Sequence, residues 1–133
     1  MHSHVTRSQA AHRSGFTLIE LLVVMAILAT LLSIAAPRYF QAMDRAKETA
    51  LRTNLRVVRD AIDKFNADTG TLPKSLQALV DGRYVRSIPI DPITDDATSW
   101  VLVPHPDNVT QGVYDLRSGA PGAALDGTAY GSW

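Results

Sequence analysis

The chain contains no cysteine. A disulfide framework, a thiolate zinc site and a cysteine nucleophile are therefore excluded. Net charge is missing too. Thirteen Lys and Arg residues offset thirteen Asp and Glu, so no global field points to a nucleic acid or another polyanion. There is no glycine-rich phosphate loop, no zinc-ligand spacing and no usable Ser/His/Asp order, which leaves an enzyme almost nothing to stand on. No internal repeat is visible. The 133 residues suffice for one domain with a modest core.

What the chain does have is an uneven start. Before Gly15 the only charged residues are Arg7 and Arg13, with His2, His4 and His12 beside them. Beyond that segment 11 basic residues face 13 acidic ones. Residues 16–36 then read FTLIELLVVMAILATLLSIAA, in which Thr17, Glu20, Thr30 and Ser33 are the only polar positions. As a helix this run is about 31 Å long, the thickness of a bilayer's hydrocarbon core. Arg13 on its N-terminal flank places that flank in the cytoplasm and the rest of the chain on the far side. A secretory signal peptide is one alternative, but the run is long for one and an acid inside it is unusual. A plain single-pass anchor is another.

Pro37 follows at once and is expected to bend or weaken a continuing helix by removing a backbone donor. Residues 38–68 again read as helix. Leu51, Leu55, Val58, Ile62 and Phe65 step by four, three, four and three, forming one apolar stripe with charges on the other faces. Gly70 ends the rod. Residues 75–80 suggest a short helix, closed by Asp81-Gly82. A proline-rich loop follows, then two strand-like runs around Val101 and Tyr114 joined by a hairpin connection. The tail is rich in Gly and Ala but carries Tyr130 and Trp133, and aromatics of this kind predict that it folds back onto the sheet.

Glu20 is the anomaly. An ionised carboxylate inside a bilayer costs about 2.5–3.5 kcal/mol on insertion scales and marks a functional site whose partner should be named. No lysine or arginine lies within the run. Cutting the chain between Gly15 and Phe16 would create one cation, the α-amine of Phe16. An amine at the start of a helix does not easily fold back onto its own Glu20, but that of a neighbouring subunit can meet it. Pairing would offset desolvation and fix the axial offset between neighbours.

The string S-G-F-T-L-I-E-L-L-V-V-M-A-I-L, with Gly15, Phe16, Thr17, Leu18, Glu20 and Leu21, resembles the class III signal peptide of type IV pilins and type II secretion pseudopilins. Pro37 falls where that family commonly has a helix-weakening proline. The stretches T-G-T-L-P-K-S-L-Q-A-L-V, I-P-I-D-P and D-G-T-A-Y-G-S-W are similar to the major pseudopilins of type II secretion, and the lack of cysteine agrees.

The resemblance implies an α+β pilin fold, a long N-terminal helix packed against a small antiparallel sheet. It divides the chain into a leader (residues 1–15), a transmembrane and filament-core helix (16–36), an amphipathic continuation (37–69) and a globular body (70–133). It implies cleavage by a prepilin peptidase between Gly15 and Phe16, N-methylation of Phe16, and assembly through Phe16 and Glu20. The product would be a homo-oligomeric filament, together with other pilin-like subunits and an inner-membrane assembly platform. The body would lie in the periplasm and the filament there or at the cell surface. A type IV or competence-type pilin serving adhesion, motility or DNA uptake is the alternative; gene neighbourhood separates the two.

Major pseudopilins often hold calcium in the C-terminal loop. Here Asp126 is that loop's only carboxylate, so the candidate site is Asp126 with carbonyls near Leu116 and Ser118, against calcium's need for 6–8 oxygens. A simple turn at Asp126-Gly127 is the other reading. No other cofactor is implied.

Elsewhere Asp91, Asp95 and Asp96 read as solvated loop, and His105, between two prolines, as a surface histidine. Asn108-Val109-Thr110 is a sequon, a short motif with frequent chance matches. Arg52, Arg56 and Arg59 share a helical spacing that could touch phosphates of DNA or lipid, but interspersed acids favour a solvated face or subunit-contact salt bridges. A DNA-binding module is disfavoured, because Lys74, Arg83, Arg86 and Arg117 face seven Asp after Gly70.

Overall fold

The computed structural model describes His2 and residues 15–133. The leader positions Arg7, Arg13, His4 and His12 lie outside the described residues. The chain divides into two compact units, one ending at Arg38 and the other running from Tyr39 to Trp133.

In the first unit, helix α1 (Leu18–Thr69) begins two residues after Phe16. Its side chains stand in the open: Leu18, Ile19, Leu22, Met25, Leu28, Leu32 and Ile34 are all exposed. The segment is long and apolar enough to cross a membrane. Its hydroxyls are satisfied by its own turns. Thr30 Oγ1 donates to the Ala26 carbonyl at 2.8 Å, and Ser33 Oγ to that of Thr30 at 2.7 Å. Such back-bonding lets a hydroxyl sit in an apolar medium without an outside partner.

In the second unit the same helix is amphipathic, and the predicted stripe is its buried face. Leu51, Leu55, Val58 and Ile62 are buried together with Ala61. Phe65, at the end of the stripe, is half-buried and meets Tyr84 edge-on at 5.4 Å. Pro37 lies within α1, and the helix continues through it. Gly70 ends the helix at φ +73°, its amide donating to the Asn66 carbonyl at 2.8 Å. This is the left-handed stop that glycine supplies without steric cost.

Helix α2 (Leu76–Asp81) is capped by Ser75, whose hydroxyl accepts from the Ala78 amide at 3.3 Å. It buries Leu76 and Leu79. Strands β1 (Val101–Pro104) and β2 (Val113–Arg117) form an antiparallel pair with Val101 opposite Arg117 and an irregularity between Val103 and Pro104. Trp100, Val113 and Leu116 join the helical stripe in one core, with Ala120, Ala124 and Tyr130 from the tail. The tail ends in a 3-10 turn (Tyr130–Ser132). The fold is α+β and pilin-like: a long helix packed on a small antiparallel sheet, with the tail returned to the core.

One reading is corrected. Asp91 is not solvated loop surface; it is fully buried. Its Oδ1 accepts from the Ile93 amide at 2.9 Å, and its Oδ2 accepts from the Ser118 hydroxyl. The Asp91 amide and carbonyl also pair with Asp96 and Asp95 across the same loop. Asp95 and Asp96 are exposed, as expected.

Candidate functional site

The N-terminus of α1 places Thr17 and Glu20 one turn apart. The Glu20 amide donates to Thr17 Oγ1 at 3.2 Å, and the Thr17 amide donates to Glu20 Oε2 at 3.4 Å. This reciprocal pair is a capping box, which satisfies two of the amides that every helix start leaves free. The carboxylate thus does fold back within its own chain, onto an amide rather than an amine. The sequence carries the signal, Thr followed three residues later by Glu before an apolar run.

Phe16, just before the cap, is 90% exposed. At Gly15 a Cβ would meet nothing within 4 Å, and the backbone there is not left-handed. The fold itself makes no demand for glycine at this position. A requirement for it must come from whatever grips the extended segment.

The C-terminal candidate looks different. Asp126 Oδ1 accepts from the Thr128 amide at 2.9 Å and from its hydroxyl at 2.6 Å. These bonds, first the hydroxyl's and then the amide's, hold the carboxyl below the usual range, with Arg52 adding to the effect. Asp126 Oδ2 stands 3.7 Å from Arg52 Nη2. The Leu116 carbonyl accepts from Arg59 Nη2 at 3.0 Å. Among the described residues no three His, Asp or Glu side chains gather in a metal-binding group. Of the three oxygen sources expected, one carboxylate and one carbonyl already face guanidinium groups. This donor set does not fit calcium.

Two arginines of the expected row, Arg52 and Arg59, make contacts with the C-terminal segment. Arg59 Nε donates to Asp115 Oδ1 at 2.8 Å, and its Nη2 also donates to the Trp133 carbonyl at 2.8 Å. Arg52 lies 3.9 Å over the Trp133 ring. Arg56 is exposed. Glu48 Oε1 accepts from the Leu125 amide at 2.7 Å and the Tyr130 hydroxyl at 3.0 Å. Residues 48, 52 and 59 border the stripe of 51, 55, 58 and 62, and that flanking position was the available clue. His105 is not free either: its Nδ1 accepts from the Asp107 amide at 3.1 Å, and its ring meets Tyr114 edge-on. In the sequon, the Thr110 hydroxyl and amide both donate to Asn108 Oδ1.

Comparison with known proteins agrees with this arrangement. Residues 11–36 match the family described as the prokaryotic N-terminal methylation motif. Type II secretion system core protein G of Pseudomonas aeruginosa is 30% identical, over 94% of this chain and 98% of that protein. Core protein G of Vibrio cholerae is 27% identical, over 91% and 92%. Fimbrial protein EcpC of Eikenella corrodens is 27% identical, over 87% and 78%. No solved structure matches. With the motif at its N-terminus, a pilin-like fold behind it, and this likeness along nearly its whole length, the chain belongs to the family of type II secretion system core protein G, the pseudopilins.

Proposed function

We propose that this chain is a structural subunit of a type II secretion pseudopilus and has no catalytic role. Residues 1–15 serve as leader, with Arg7 and Arg13 held in the cytoplasm, and residues 16–36 anchor the precursor in the inner membrane. The body, comprising the amphipathic helix 37–69 and residues 70–133, lies in the periplasm. A prepilin peptidase cuts after Gly15 and methylates the new amine of Phe16. An assembly platform in the membrane then adds the subunit to a filament.

The observation that carries this reading is Glu20. It is an acid within the first segment of α1, where the large apolar side chains from Leu18 to Ile34 are exposed, and it is bonded only to Thr17 among the described residues. In the filament the apolar segments exchange lipid contacts for contacts with one another. Glu20 meets the Phe16 amine of the next subunit. Such a contact joins different surfaces of two copies and does not close, which is what a helical filament needs. Pro37 gives the helix a point at which to bend during this packing.

Mass spectrometry of the protein recovered from membranes tests the proposal. The expected N-terminus is an N-methylated Phe16, and a chain beginning anywhere else would refute it. Gly15→Val should leave the leader attached.

A further inference from the structure

Three side chains on one stretch of α1 hold the C-terminal segment, where the resemblance had implied a calcium loop. Arg59 alone reaches three acceptors: Asp115 Oδ1 at 2.8 Å, the Leu116 carbonyl at 3.0 Å and the Trp133 carbonyl at 2.8 Å. Arg52 stacks over the Trp133 ring and faces Asp126. Glu48 takes the Leu125 amide and the Tyr130 hydroxyl on a single oxygen. We propose that Glu48, Arg52 and Arg59 dock the C-terminal segment of this chain in place of a bound cation, so that the body folds and keeps its tail docked without calcium.

Both solutions set positive charge against oxygens, but with different geometry and different partners. Calcium gathers 6–8 oxygens around a positive centre and favours several carboxylates. An arginine places its positive charge on a fixed planar fork, and its five donors can bind several carbonyls and a carboxylate at once. The segment from residue 118 onward has one acidic side chain, Asp126. Its Oδ1 is turned to Thr128 and its Oδ2 to Arg52. A cation placed at Asp126 or at the Leu116 carbonyl would sit beside a guanidinium, and repulsion would weaken its hold.

The aromatic contacts belong to the same arrangement. Tyr130 and Trp133 meet edge-on at 5.3 Å, and Trp133 Nε1 donates to Thr128 Oγ1 at 2.8 Å. Thr128 in turn donates to Asp126. One connected set therefore runs from Arg52 through Trp133 and Thr128 to Asp126 and back to Arg52. Glu48 fixes the tail at Leu125 and Tyr130, and Arg59 at the Trp133 carbonyl. This property is one of the body and does not depend on filament assembly.

Hydrogen exchange on the full chain in detergent, read by mass spectrometry on peptides covering 118–133, tests the inference. Exchange should be the same in excess chelator and in millimolar calcium. Arg52→Ala, whose side chain is 57% exposed and outside the core, should speed exchange there by at least about threefold. Arg59→Lys, which keeps the charge but loses the fork, should do the same. Protection by calcium in the parent chain would overturn the proposal. So would Arg52→Ala and Arg59→Lys chains that exchange at the parent rate.

Discussion

Ser118 donates its hydroxyl to the buried carboxyl group of Asp91, 27 positions away, and in doing so ties the loop before β1 to the segment after β2. The Ser118 oxygen also accepts from the Ala120 amide at 3.1 Å. A buried polar group is tolerable only while its partners are in place. Asp91→Ala would strand the Ser118 hydroxyl and the Ile93 amide together. The expected loss is about 3–5 kcal/mol, against about 1–2 kcal/mol for Ser118→Ala. Urea unfolding of the two variants, followed by tryptophan fluorescence, gives the comparison. Equal and small losses would mean that the pair is not part of what holds the body together.

Gly112 provides a test of backbone fit. It lies at φ +124°, and a Cβ there would come within 2.5 Å of the Pro73 carbonyl oxygen. That same oxygen accepts from the Val113 amide at 2.7 Å, the bond that joins the loop after α1 to β2. Gly112→Ala must therefore strain the backbone and displace this bond together. A loss of about 2–4 kcal/mol is expected in thermal or urea unfolding. By contrast Gly122→Ala meets open space and strains only its φ of +91°, so it should cost less.

Much of this architecture was legible because its causes are local. The stripe from Leu51 to Ile62 needs only a 3.6-residue period to be seen, and Ser75 and Gly70 punctuate the helices by their own backbone chemistry. Glu20 stood out because an acid in an apolar run is costly wherever the chain goes. Asp91 did not, because whether an aspartate in a proline-rich loop is solvated depends on a serine that arrives from after β2. Arg59 failed to stand out for the same reason. On α1 it is one charge among many, and only the return of Trp133 and β2 gives it partners. Burial of single polar groups is decided by tertiary contacts that no local period records.

Tyr130 ties the tail's stability to pH. Burial, followed by its bond to Glu48, pushes the phenol's pKa up. The folded chain thus holds the phenolic proton more tightly than the unfolded chain, whose tyrosines titrate at about 10. The sign is fixed: the contribution is complete below that pH and is lost as pH rises through the folded value. Tyr84, raised by its bond to Asp68, acts in the same direction. At the acid end the lowered carboxyls of Asp126 and Asp96, held by Thr128 and Thr98, contribute above about pH 4 and lose that contribution as pH falls. Melting temperature across pH should decline at both ends. Tyr130→Phe should flatten the alkaline decline and leave the acid one; an unchanged alkaline limb would count against the Glu48–Tyr130 contact.

Glu20 has two candidate duties, and one substitution separates them. As a capping residue it needs only an acceptor at the third position of the helix, and glutamine serves there almost as well. As the partner of a neighbour's Phe16 amine it needs negative charge. Glu20→Gln keeps the first duty, removes the second, and lowers the cost of residence in the bilayer. If capping were the whole role, Glu20→Gln would assemble normally and Thr17→Ala, which loses a cap bond worth about 0.5–2 kcal/mol, would be the weaker chain. If pairing is the role, Glu20→Gln and Glu20→Val should both insert and be cleaved normally, yet give filaments at a yield reduced by at least about tenfold. Thr17→Ala should then assemble with a smaller deficit, since the charge remains available to the neighbour. Filament yield in sheared or sedimented fractions, beside mass spectrometry of the processed N-terminus, reads both duties in the same preparation. Normal filaments from Glu20→Gln would remove the intersubunit pair and leave Glu20 as a helix cap.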